Sequence, residues 1–131
     1  MLGERLREVI KRNVSLADLE EDILKLLVSL DKEDTVAILV TGSVAKCEFV
    51  RGMSDIDILV IVNRSSLKSW ITAIKDVDVE ITEIGIGEVL EAIRTGNNFV
   101  RRALEDGVVI KGEEHIEHLR QKIQQHDCSP E

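Results

Sequence analysis

A chain of 131 residues, 44% hydrophobic and 32% charged, can bury one compact core but not two. A formal net charge of −8, with 2% aromatics and no tyrosine, excludes a broad grip on nucleic acid, which needs basic surface and stacking faces. No run reaches the ~20 apolar residues of a membrane span, the start lacks a leader's apolar stretch, and Cys47 and Cys128 are too few to staple the fold. One domain over 1–131 in a reducing cytoplasm is therefore expected.

Leu2, Leu6, Val9 and Ile10 keep helical spacing. Leu16, Leu19, Ile23, Leu26, Leu27 and Leu30 repeat it behind Ser15, a suitable N-cap. The apolar runs TVAILV (35–40) and DIDILVIV (55–62) predict buried strands. SSLKSWITAIKD (65–76) returns to helical spacing through Leu67, Trp70, Ile71 and Ile74, which predicts a crossover helix with Trp70 in the core. VDVEITEI (77–84) alternates strictly and predicts a third strand. Two short helices follow, around 87–94 and 97–106, the second closed by Gly107 in a left-handed cap. VVI (108–110) reads as an edge strand, and a polar helix through Ile116, Leu119 and Ile123 ends the chain. The order implies an α/β (α+β) fold, a small mixed β-sheet backed by helices.

The chemistry concentrates in TGSVAKCEFVRGMSDIDILVIV, from residue 41. Alternation puts Asp55, Asp57, Leu59 and Ile61 on one face of the second strand and Ile56, Ile58, Val60 and Val62 on the other. Two carboxylates at i, i+2 repel, a cost that a divalent cation removes. On the next strand Asp78, Glu80 and Thr82 share a face. If the two strands are parallel neighbours, ~4.8 Å apart, Asp78 arrives beside Asp55 and Asp57. Three converging carboxylates suit a pair of Mg²⁺ ions. Upstream, Gly42 and Ser43 end a strand at a sharp turn that a phosphate can approach closely, and Lys46 adds a positive charge one turn on.

Gly-Ser, about ten residues, Asp-x-Asp amid apolar residues, and a later apolar-Asp-apolar strand together resemble the DNA polymerase beta-like nucleotidyltransferase superfamily. The small size resembles its minimal branch. The matching stretches are VTGSVAK (40–46), SDIDILV (54–60) and VDV (77–79), and GNNFVRRALEDGVVIKG (96–112) is similar to the tail after the catalytic core. The resemblance implies the nucleotidyltransferase palm fold. It also implies triphosphate binding at Gly42 and Ser43, two Mg²⁺ on Asp55, Asp57 and Asp78, and attack of a hydroxyl on the α-phosphate of a nucleoside triphosphate such as ATP. Glu80, on the same face, is the alternative third ligand. The expected acceptor is a hydroxyl on a protein or a small molecule; such minimal members are often paired with a small helical protein of the HEPN type in toxin–antitoxin systems, and the resemblance makes a partner of that kind one candidate. The sequence departs from the family at Lys46 and Cys47, where Arg-Gly is common. That departure leaves a nucleotide-binding module without turnover as the other reading.

Elsewhere the plain readings prevail. Arg51 is a surface charge, Cys47 a small buried or half-buried residue, and His115 and His118, with His126 and Cys128 beyond, belong to a solvated helix rather than a zinc site.

Overall fold

The computed structural model describes residues 2–127 of the chain; Cys128 lies outside them. Helix α1 (Leu2–Arg12) buries Leu6, Val9 and Ile10 and carries Lys11 and Arg12 in its last turn, where the helix dipole favours cations. A 3₁₀ segment, Val14–Leu19, precedes α2 (Glu20–Leu30). Ser15 therefore lies inside the 3₁₀ turn and does not cap α2, whose first turn instead holds Glu20, Glu21 and Asp22 against the positive end of the dipole.

Five strands form one mixed sheet in the order β3-β4-β2-β1-β5. Strands β1 (Thr35–Thr41) and β2 (Ile56–Val62) are antiparallel, with the single-turn helix α3 (Gly42–Ala45) between them in the chain. β2 and β4 (Val77–Gly85) are parallel neighbours, as the acidic pattern anticipates. The connection between them is not a helix. Residues Leu67–Ile74 form β3, an edge strand paired antiparallel with β4 over its full length. The i, i+3, i+4, i+7 spacing there is misleading, because Leu67 and Ile71 are 73% and 68% exposed and pack no core. What decides the conformation is the hairpin. Lys75, at φ 54°, and Asp76 make a two-residue turn with a left-handed first position, and β3 gains a full ladder of backbone bonds with β4. Trp70 is consequently 37% exposed rather than core, with the Lys68 ammonium 5.7 Å from its ring centre.

Both sheet faces are covered. Ile56, Ile58, Val60 and Val62, with Val77, Val79 and Ile81, meet α1, the 3₁₀ turn and α2. Leu59, Ile61 and Ile84 meet α4 (Ile86–Thr95), α5 (Asn98–Asp106) and α6 (Glu113–Asp127). The edge strand β5 (Val108–Lys111) pairs with β1. The left-handed cap expected at Gly107 occurs instead at Gly96 (φ 78°), which ends α4. Gly107 is extended, and glycine is required there for closeness: a Cβ would lie 2.3 Å from the Ala103 carbonyl oxygen.

Candidate active site

β1 ends at Thr41, whose register partner on β2 is Asp57, and Asp57 in turn faces Glu80 on β4. Thr41, Asp57 and Glu80 thus form one row across three strands. Asp55 and Asp78 stand two positions beyond it toward the strand starts, on the far side of the Ile56–Val79 pair. All four acids are on the face that carries Leu59 and Ile61, at the end of the sheet that α5 borders without covering. Asp57 is half-buried, whereas Asp55, Asp78 and Glu80 are exposed. Burial pushes the Asp57 carboxyl above the ordinary carboxylate range, and the negative charges of Glu80 and Asp55 push it further.

Gly42 closes onto this row. Its φ is 65°, and a Cβ would stand 2.3 Å from Asp57 Oδ2, so only glycine lets the chain turn there with the carboxylate against its backbone. The turn is anchored from just past α1, where the Nδ2 of Asn13, the residue after the helix, donates to the Val9 and Val44 carbonyls at 3.0 Å. The last part of the turn also needs a left-handed residue, and Cys47 supplies it at φ 59°. Cys47 is exposed, not half-buried, because its side chain leaves a turn that no element covers.

The rest of the loop to Asp55 hangs on Arg51. Its Nε and Nη2 donate to the two Asp76 oxygens at 2.9 and 2.8 Å. Its Nη1 and Nη2 donate to Asp18 at 2.8 and 3.2 Å, and Nη1 also reaches the Ser15 carbonyl. This fork-shaped pairing holds the Asp76 carboxyl down at about 2 and lowers that of Asp18. Arg51 is thereby a clamp joining the loop to the 3₁₀ segment and the β3–β4 turn, and its donors are committed away from the acids.

A cavity of about 420 Å³ opens over the row. Thr41, Gly42, Lys46, Asp57 and Glu80 line it, and Ser43, Asp55 and Asp78 do not. α5 contributes its far wall through Phe99, Arg102, Ala103 and Asp106, and Thr82 adds a hydroxyl-bearing side chain from β4. Sequence reasoning passed over Phe99 and Arg102 because both are exposed and break no apolar period; their shared helix face, at i and i+3, was the available signal.

Among the described residues, no three His, Cys, Asp or Glu side chains stand close enough to hold a metal ion as they are. The donors nevertheless fit a hard divalent cation. They are carboxylate oxygens, none is engaged in an ion pair among the described residues, and the half-buried Asp57 has two like charges near it, Glu80 across on β4 and Asp55 two residues back. His115 and His118 are exposed on α6.

Residues 20–124 match the model of the nucleotidyltransferase domain. The chain belongs to that family. The nucleotidyltransferase fold is also found in a nucleotidyltransferase-like protein from Exiguobacterium sibiricum 255-15, at a TM-score of 0.56 and 13% identity over 75% of this chain. The chain spans 35% of that protein's length. No curated protein sequence matches it. Among the described residues of this nucleotidyltransferase domain, no helix is long and apolar enough to cross a membrane.

Proposed function

We propose that this nucleotidyltransferase domain transfers a nucleoside monophosphate from a nucleoside triphosphate, ATP by preference, to a hydroxyl acceptor. The observation that carries the reading is the row Thr41–Asp57–Glu80 with Gly42 pressed against Asp57, on the wall of a cavity that also holds a cationic side chain, Lys46. Asp55, Asp57 and a third carboxylate would hold Mg²⁺, which when bound supplies positive charge to the triphosphate and to the leaving pyrophosphate. The ladder favours Glu80 over Asp78 as that third acid, because Glu80 is level with Asp57 and lines the cavity.

The chain's own residues then have separate tasks. Gly42 and Ser43 bring backbone close to the phosphates, and Lys46 offsets their charge. Asp57, with Asp55, restricts entry to triphosphate that arrives with cations. The third carboxylate accepts the acceptor's hydroxyl proton as the oxygen attacks the α-phosphorus and pyrophosphate leaves. The acceptor we propose is a hydroxyl on a partner protein, a small helical protein of the HEPN type in a toxin–antitoxin pair, with the reaction taking place in the cytoplasm.

Calorimetry with a non-hydrolysable ATP analogue and Mg²⁺, repeated with EDTA, tests the binding; equal affinity in both refutes metal-dependent nucleotide binding. Incubation with α-labelled ATP, Mg²⁺ and native lysate tests the transfer. A labelled small protein supports it, and binding without label on any acceptor leaves the module without turnover as the correct reading.

A further inference from the structure

Resting on that reading of the site, we propose that α5 is its nucleotide-recognising wall. Arg102 binds the triphosphate as a second cation beside Lys46, and Phe99, one turn earlier, stacks on the base.

The cavity has a charge problem that α5 resolves. Three carboxylates, Asp57, Glu80 and Asp106, line it, in a chain whose net charge is −8. Lys46 and Arg102 are the cationic side chains among its lining residues. Other arginines are already committed: Arg51 to Asp18 and Asp76, Arg64 to Asp34 and Glu83, Arg94 to Glu91. Arg102 is exposed and has no hydrogen bond or ion pair among the described residues. A guanidinium offers a planar fork that matches two phosphate oxygens, which the Lys46 ammonium does not.

Phe99 is 59% exposed and lines the same cavity. The i, i+3 spacing puts its ring on the helix face that carries Arg102. An aromatic face beside a guanidinium is what a nucleotide presents a use for, base against ring and phosphate against fork.

α5 is held rigidly enough to present these two groups. Asn97 Oδ1 accepts from the Val100 amide at 3.2 Å and caps the helix, and Val100, Ala103 and Leu104 are buried beneath it. At the other end Arg120 donates to the Leu104 and Gly107 carbonyls at 2.8 and 3.0 Å. The close packing at Gly107 puts this end of α5 against Thr41: a Cβ on Gly107 would be 3.3 Å from Thr41 Cγ2. The wall is therefore in register with the row that carries Asp57.

The test titrates the intact protein with two ligands, each with Mg²⁺: a non-hydrolysable ATP analogue and inorganic tripolyphosphate. Arg102→Gln is expected to weaken both by about tenfold or more, as loss of a charge-assisted contact does. Phe99→Leu is expected to weaken the ATP analogue by about tenfold, in keeping with base stacking, and to leave tripolyphosphate unchanged. Both side chains are exposed, so unchanged thermal midpoints are expected and establish that the variants fold. Unaltered tripolyphosphate affinity in Arg102→Gln overturns the role of Arg102. Equal losses for both ligands in Phe99→Leu overturn stacking. If the wild-type protein binds neither ligand, the proposed function fails first and takes this inference with it; tight wild-type binding with indifferent variants overturns the inference alone.

Discussion

Replacing Asp57 by asparagine separates a functional carboxylate from a structural one. In the metal-free protein Asp57 faces Glu80 across neighbouring parallel strands and stands two residues from Asp55. Strand spacing places such carboxylates ~5 Å apart. Two like charges at that distance cost ~0.8 kcal/mol in water and ~3 kcal/mol at an effective dielectric constant of ~20. Asp57 is half-buried but Glu80 is exposed, so solvent screening brings the repulsion to the lower end, about 1 kcal/mol. Partial burial of the charge acts in the same direction. The sign follows from linkage: a carboxyl whose folded pKa is raised loses stability as pH climbs from the unfolded value through the folded one, so at neutral pH the charge is a net cost. Asp57→Asn should therefore raise the thermal midpoint of the metal-free protein by about 3–5 °C, the shift that ~1 kcal/mol gives a domain of this size. The same variant should lose nucleotidyl transfer and the stabilisation that Mg²⁺ with nucleotide confers on the wild type. Differential scanning fluorimetry in EDTA, then in Mg²⁺ with an ATP analogue, reads both. A lower midpoint in EDTA would show that Asp57 holds the fold together and would remove it from the chemistry.

Four further outcomes are expected. Gly42→Ala should abolish transfer and destabilise the protein by about 2 kcal/mol or more, because the new Cβ meets Asp57 Oδ2 at 2.3 Å in a left-handed backbone, and denaturant titration measures it. Glu80→Gln should reduce transfer more than Asp78→Asn in a labelled-ATP assay, and the reverse order would return the third ligand to Asp78. Cys47→Gly should stabilise by about 0.5–1 kcal/mol in urea melts, since φ 59° strains a side chain; a loss of stability would mean that the thiol makes a needed contact. Arg51→Leu should flatten the acid end of the stability profile: the Asp76 carboxyl is held at about 2 against an ordinary 3.8, so its contribution is complete above 3.8 and disappears as pH falls toward 2, and a wild-type profile already flat there would refute the clamp.

Whether a feature could be read from the sequence depended on how local its cause is. β2 was legible because both of its faces are buried, so an unbroken apolar run with two acids at its head admits one arrangement of faces. The Gly-Ser turn was legible because its glycine serves a backbone angle and a close approach at one position. β3 was not, since Leu67, Trp70, Ile71 and Ile74 fit a helix as well as a strand, and what selects the strand is a ladder with β4 that no residue of β3 encodes alone. The one local hint was the pair Lys75–Asp76, short enough for a hairpin.

The third carboxylate shows the same limit in the site itself. Asp78 and Glu80 lie on the same face, and periodicity ranks neither above the other; only the apolar-Asp-apolar pattern of the family points to Asp78. The distinction is two residues of register on one face, since pairing Asp57 with Glu80 puts Asp78 level with Asp55, outside the cavity. Lys46 poses a related problem of charge. A turn that carries lysine where arginine is common has lost a fork but not the need for one, and local sequence offers no replacement. Arg102 is 56 positions away by residue number, reaches the cavity only because Gly107 lets α5 close on Thr41, and is exposed, so it leaves no mark on the apolar pattern. Whether this α5 arginine compensates for the missing fork can be decided by a double change. If Arg102 supplies what Lys46 lacks, Lys46→Arg should restore most of the tripolyphosphate affinity lost in Arg102→Gln, whereas independent roles would leave the two effects additive.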